Sequence, residues 1–150
     1  MTEEIKCIIL KINGDELLMP NSSVAEVIAI KNIINVVNKP SWMLGYLDWR
    51  GNSVPLICLE TMGDGQMPSL ATGHVKATIL VSIGEGSKIP FLSILTQDST
   101  KIVNVGEDDI LSNEKTISHP AIEDNVMLGN ENYSIINLEK LENMVKEIMA

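Results

Sequence analysis

Short apolar runs punctuated by turn-forming residues recur along almost the whole chain, and they leave room for little besides β-structure. "IKCIILKI" (Ile5 to Ile12) meets "ELLMP" across Asn13-Gly14, a strong two-residue hairpin signal. "VKATILVSI" meets "KIPFLSILT" across "GEGS", and "NVMLG" meets "YSIIN" across "NEN", which adds two further hairpins. "SSVAEVIAI" is a half-buried strand with Val24, Glu26 and Ile28 on one face and Ala25 and Val27 on the other. "IINVV" and "KIVNV" are additional short runs. "PSWMLGYLDWRG" reads as a turn, or one helical turn, that leads into a strand. "SVPLICLE" reads as a strand that Pro55 assigns either to a sheet edge or to a bulge.

"TMGDGQMPSLATGH" is loop-like, and "EDDILSNEKTISHPAIED" reads as a long connection with a helical turn. One clear helix closes the chain in "NLEKLENMVKEIM". Asn137 can cap it, Leu138, Leu141, Val145 and Ile148 share one face, and Glu139 and Lys146 suit the two ends of its dipole. About eight to ten short strands with regular turn signals indicate a barrel or sandwich of two small β-units. The apolar stripe of the helix is more simply packed on that body than used to pair two chains.

Length and composition bound the rest. The 150 residues suit one domain, 1–150, with a real core. Aromatics are 3%, so that core must come from Ile, Val, Leu and Met. Of the methionines, Met19, Met43, Met62, Met67 and Met127 are read as core fillers before interface residues. The net charge of -9 and the single arginine argue against a nucleic acid or an anionic membrane as partner. The acidic start "MTEEIK" is unlike a secretory leader, and no run approaches the ~18 apolar residues of a membrane helix. Cys7 and Cys58 lie in apolar runs and read as buried thiols of a cytoplasmic protein.

Catalytic signatures are missing. There is no G-x-S-x-G, no H-E-x-x-H and no phosphate-cradling glycine loop. His74 and His119 stand far apart and read as exposed loop residues, so no metal site is expected. Gly63 to Gly65 is a turn and not a calcium loop. An enzyme is not expected, and neither is a cofactor. A binding module remains.

The stretch from Trp42 to Leu56 holds both tryptophans and the lone arginine. Gly45 and Gly51 permit unusual backbone on either side of Arg50, which is thereby held in a stiff turn. Its natural partner is Glu26, a carboxylate in an apolar strand that would be costly if buried unpaired. Such a pair either pins two strands together or sets the register of a docking surface. Trp42 and Trp49 favour docking, although core filling suits at least one of them.

At these residues the chain resembles the CheW-like domains. "SVAEVIAI…VNKPSWMLGYLDWRGNSVPLICLE" is similar to the family signature at Val24, Glu26, Val27, Pro40, Gly45, Arg50, Gly51, Val54 and Pro55. The order of the remaining segments also follows the family through "YSIINLEKL". The resemblance implies an all-β fold of two five-stranded SH3-like β-barrels around a shared hydrophobic core, with a C-terminal helix. It implies a non-catalytic adaptor that couples the cytoplasmic tip of a chemoreceptor to the regulatory domain of a CheA-type histidine kinase. Cytoplasmic placement at membrane-bound receptor arrays follows, without insertion into the membrane.

By the same resemblance, Val24, Glu26, Gly45, Trp49, Arg50 and Gly51 belong to the partner-binding region, and Glu26 and Arg50 form a salt bridge. The chain departs from the usual pattern at Cys58 and Gln97, where an aspartate is common, and at Ser93, which replaces a glycine. Its tryptophan-rich "WMLGYLDWRG" looks most like the ChpC-type branch, which accompanies type IV pilus (twitching motility) systems. The alternatives are the main CheW of a flagellar system and, in a different class, a self-associating β-barrel module without kinase binding.

Overall fold

At Asn13-Gly14 the chain reverses in two residues, with Gly14 at φ +87°, so that Ile12 faces Asp15 and Cys7 faces Pro20. This is the expected first hairpin, β1 (Glu4–Ile12) and β2 (Asp15–Pro20). The computed structural model describes residues 3–68, 74–82, 89–112 and 117–149. A 3-10 turn at Asn21–Ser23 leads to β3 (Val24–Ala29), whose alternating burial matches the half-buried strand read from the sequence. Then follow β4 (Met43–Trp49), β5 (Asn52–Ile57), a single helical turn α1 (Leu59–Met62), β6 (Val75–Val81) and β7 (Phe91–Gln97). β8 (Thr100–Gly106), β9 (Ile110–Ser112), β10 (Ile122–Leu128), β11 (Glu131–Ile136) and α2 (Leu138–Met149) complete the chain.

Two sheets result, one of six strands ordered β8-β1-β2-β11-β10-β9 and one of five ordered β3-β6-β7-β5-β4. The expected mostly-β architecture is present, with one strand more than the expected five in the first sheet. That strand is β9, hidden in what reads as a long connection because it has three residues. The expected helical turn in the same connection is a 3-10 turn at Glu107–Asp109. The β6–β7 hairpin pairs Val75 with Gln97 and Val81 with Phe91; its "GEGS" turn lies outside the described residues. The third hairpin turns through residues 129 and 130, earlier than "NEN", since Leu128 already faces Glu131.

Strand alternation divides the core into layers. On β1, Ile8, Leu10 and Ile12 enter one cluster, while Cys7 and Ile9 enter another. The first cluster draws on both sheets and both helices, from Leu17 and Met19 through Met43, Ile57, Leu80 and Ile94 to Leu141 and Val145. It is the shared core. The second cluster belongs to the first sheet, and two smaller ones around Leu47 and Trp49 belong to the second sheet. Helix α2 is capped as expected, with the Lys140 N–H donating to Asn137 Oδ1 at 3.0 Å. Its Leu141 and Val145 are fully buried, each contributing about 1.5–3 kcal/mol relative to exposure.

Two readings need correction. The turn expected to lead into a strand is confined to Ser41 and Trp42, and the segment is already strand from Met43 onward. Pro55 is also not at an edge, because β5 runs between β7 and β4. The bulge sits in β4, between Met43 and Gly45. Alternation of the ladder from the Trp49–Asn52 pair makes Tyr46–Pro55 a non-hydrogen-bonded pair, so β4 does not require a Pro55 N–H. On the other side, the pairing with β7 starts only at Leu56.

Candidate functional site

Arg50 and Gly51 form the two-residue turn between β4 and β5, with φ of +48° and +78°. Positive φ at both central residues is what a type I′ hairpin turn requires. Arginine is an uncommon choice there, since the left-handed region costs a side chain with a Cβ about 1–2 kcal/mol. The turn projects the guanidinium back toward β3. Arg50 Nη2 donates to Glu26 Oε1 at 3.2 Å.

The same carboxylate oxygen accepts the indole N–H of Trp49 at 2.9 Å. The Arg50 guanidinium also stands 5.1 Å from the centre of the Trp49 ring, within cation–π range. Trp49 is the fixed member of this cluster. It is buried among Val54, Ile79, Ile28 and Phe91, and it meets the Phe91 ring edge-on at 4.9 Å.

The pair is exposed, with side-chain accessibilities of 70% for Arg50 and 39% for Glu26. Exposed ion pairs contribute only about 0–1 kcal/mol to stability. The concern that Glu26 would be a buried charge therefore does not apply, because its strand presents that face at the rim of the sheet. The indole bond is the part that sequence reasoning missed. Trp49 and Glu26 are 23 residues apart, and only the sheet order brings them together.

β3 and β4 are the two outer strands of the five-stranded sheet. The Glu26–Trp49–Arg50 cluster links them through side chains. Beside it lies an open groove of ≈ 610 Å³, with Val27, Ile28 and Ala29 on one wall and Leu47 and Asp48 on the other. Residues 30–34 cross this seam, and Ile34 pairs with Tyr46 in both directions, N to O at 2.8 and 2.9 Å. That crossing explains Gly45. It has φ +142°, and a Cβ there would run into the Ile34 carbonyl oxygen and the Ile33 side chain.

The remaining sequence candidates lie elsewhere. Val24 packs against the shared core, on the far side of a bulge from Glu26. Trp42 also lines the shared core, where its carbonyl accepts the Cys58 N–H at 2.7 Å. Both tryptophans thus fill core, and Trp49 serves the rim as well. Met19, Met43 and Met62 are core residues as expected, while Met67 is exposed.

Cys7 and Cys58 are buried and free, and burial pushes both thiols above their ordinary range. His119 is not the exposed loop residue expected. Its Nδ1 accepts the Ala121 N–H at 3.0 Å, so the Nε2–H donates to the Leu59 carbonyl at 2.8 Å and holds α1. Among the described residues no group of three or more His, Cys, Asp or Glu side chains is placed to hold a metal ion. Nor is any described helix long and apolar enough to cross a membrane.

Comparison with known proteins agrees with this architecture. The family model described as CheW-like domain matches residues 6–146. No curated protein matches the chain. Among solved structures, the chain is similar to the scaffolding protein TtCheW from Thermoanaerobacter tengcongensis. The two are 16% identical, the match covers 91% of this chain and 86% of that one, and the TM-score is 0.74. At that identity the likeness speaks for the fold.

Proposed function

The chain belongs to the CheW-like domain family, a family of scaffold proteins in chemotaxis signalling, and from that membership we propose that it couples chemoreceptors to a CheA-type histidine kinase. It acts by binding and positioning partners, without catalysis, as a single CheW-like domain over residues 1–150. The kinase's regulatory domain docks at the seam between β3 and β4. The observation that carries this reading is the Glu26–Trp49–Arg50 cluster, an exposed charged pair fixed to a buried indole at the rim of an open groove. Such a rim charge sets register and specificity more than affinity. Gly45 and Gly51 support that surface through their backbone, while Val24 anchors the start of β3 on the shared core. We place the chain in the ChpC-type branch on its "WMLGYLDWRG" stretch, with the type IV pilus pathway as its setting and the cytoplasmic face of receptor arrays as its location.

Calorimetric titration of the chain against the regulatory domain of its kinase tests this reading. Saturable binding is expected, weakened at least about tenfold by Arg50→Glu, which sets a second carboxylate beside Glu26. The substitution exchanges an exposed side chain, so the variant should keep the native near-UV circular dichroism. Absence of binding, or binding indifferent to Arg50→Glu, overturns docking at this seam.

A further inference from the structure

Tyr133 has a hydroxyl that the coupling role does not use. The residue is only 5% exposed, and its ring packs in the cluster with Cys7, Ile9 and Leu18. Buried tyrosines ordinarily find a partner for the hydroxyl. Tyr133 has none among the described residues, yet no fully enclosed side-chain oxygen there lacks a partner. The hydroxyl therefore reaches an opening. That opening is a polar cavity of ≈ 300 Å³ lined by Tyr133, Lys11, Glu16, Thr100, Lys101 and Glu131. It lies at the end of the first sheet where the β1–β2 and β10–β11 turns and the start of β8 gather.

The charges around this cavity are unspent. Lys11 and Glu16 sit opposite one another on β1 and β2, yet neither they nor Lys101 and Glu131 form an ion pair among the described residues. Burial, with Glu16 and Glu131 nearby, pushes the Tyr133 phenol above its ordinary range, so at neutral pH it is a hydrogen-bond donor. Two ammonium and two carboxylate groups balance within the cavity, although the whole chain carries -9. A simple anion entering it meets two carboxylates, and a simple cation meets two ammonium groups. A molecule that carries both charges pairs with both sets. The volume is at the lower end for small-molecule pockets, about 300 Å³.

We propose that this cavity binds a small zwitterion of the amino-acid type. The Lys11 and Lys101 ammonium groups take its carboxylate, and Glu16 and Glu131, with the Tyr133 hydroxyl oxygen beside them, take its ammonium. The site is separate from the β3–β4 seam, so it stands or falls independently of kinase docking.

The test is a titration of the ¹⁵N-labelled full chain followed by amide chemical shifts. The probes are L-serine and glycylglycine up to about 10 mM, an order of magnitude above a Kd of about 1 mM. Acetate and methylammonium serve as singly charged controls. Saturable shifts at Lys11, Lys101, Glu131 and Tyr133 are expected with at least one zwitterion and not with the controls. Tyr133→Phe, which keeps the packed ring, is expected to lose affinity at least about tenfold. No saturable shift with either zwitterion overturns the proposal. So do equal shifts with acetate, or an unaltered affinity in Tyr133→Phe.

Discussion

Two turns of two residues each, Asn13-Gly14 between β1 and β2 and Arg50-Gly51 between β4 and β5, perform the same reversal with different chemistry. In the first, positive φ falls on the glycine alone, and the Asn13 N–H is tied down by Glu60 Oε2 at 3.1 Å. Glu60 is a buried residue of α1, whose Leu59 and Met62 lie in the shared core, so that turn is stitched into the body where the two sheets meet. In the second, a left-handed conformation is imposed on an arginine whose side chain is 70% exposed. The first turn obeys its own backbone preference and serves the fold. The second opposes its preference and places a guanidinium over Trp49, beside Glu26. An observed backbone outlier of this kind points toward function, since folding alone is better served by asparagine or glycine.

The contrast breaks most severely at the glycines. Gly14→Ala strains only φ, because nothing lies within 4 Å of its added carbon. Gly45→Ala strains φ and also drives a carbon into the Ile34 carbonyl. Urea unfolding should show a loss of about 1 kcal/mol for the first and about 3 kcal/mol or more for the second. Equal losses would falsify the tight crossing of residues 33–34 over β4.

A smaller effect is expected at Trp49. Trp49→Phe keeps an aromatic ring against Phe91 but deletes the indole N–H that Glu26 accepts. Stability should fall by about 1.5–3 kcal/mol, as for a hydrogen bond to a charged acceptor. Affinity for the kinase domain should fall with it, because Arg50 loses much of its platform. If affinity is unchanged while stability drops, the indole serves the sheet alone.

The same two regions show what a single sequence reveals. Asn13-Gly14 announces its hairpin because the signal is local and conforms to type. The stiff turn at Arg50-Gly51 is legible, but the hairpin it closes is not, since the strand before it does not read as one. β4 is hidden: its bulge sets Met43 and Tyr46 against the shared core and Leu44 and Leu47 against a separate small cluster, so no single period-two pattern runs through it. Pro55 reads as an edge or a bulge in its own strand, because the position of β5 between β7 and β4 and the bulge in β4 depend on pairings that no local pattern carries. Glu26 and Arg50 are legible as natural partners, a carboxylate in an apolar strand and the lone arginine, and the family resemblance implies their salt bridge. The indole between them is not legible. Ser93, where the family pattern usually has glycine, is accommodated by its hydroxyl donating to the Pro55 carbonyl at 2.7 Å. That compensation crosses between strands and could be seen only in the fold.

Arg50→Asn gives the smallest change in stability and decides the comparison most sharply. Asparagine accepts the left-handed region readily, so the substitution relieves strain at φ +48°. It also removes an exposed ion pair and an exposed cation–π contact, each worth at most about 1 kcal/mol. The two effects nearly offset, and unfolding free energy should stay level or rise by about 0.5 kcal/mol. Binding of the kinase domain should nevertheless weaken about tenfold. A variant that is as stable as the parent and binds poorly would show that the second turn holds its arginine for a partner. A variant that loses more than about 1 kcal/mol would show the reverse: Arg50 would then be holding β3 to β4, and the two turns would differ in chemistry without differing in purpose.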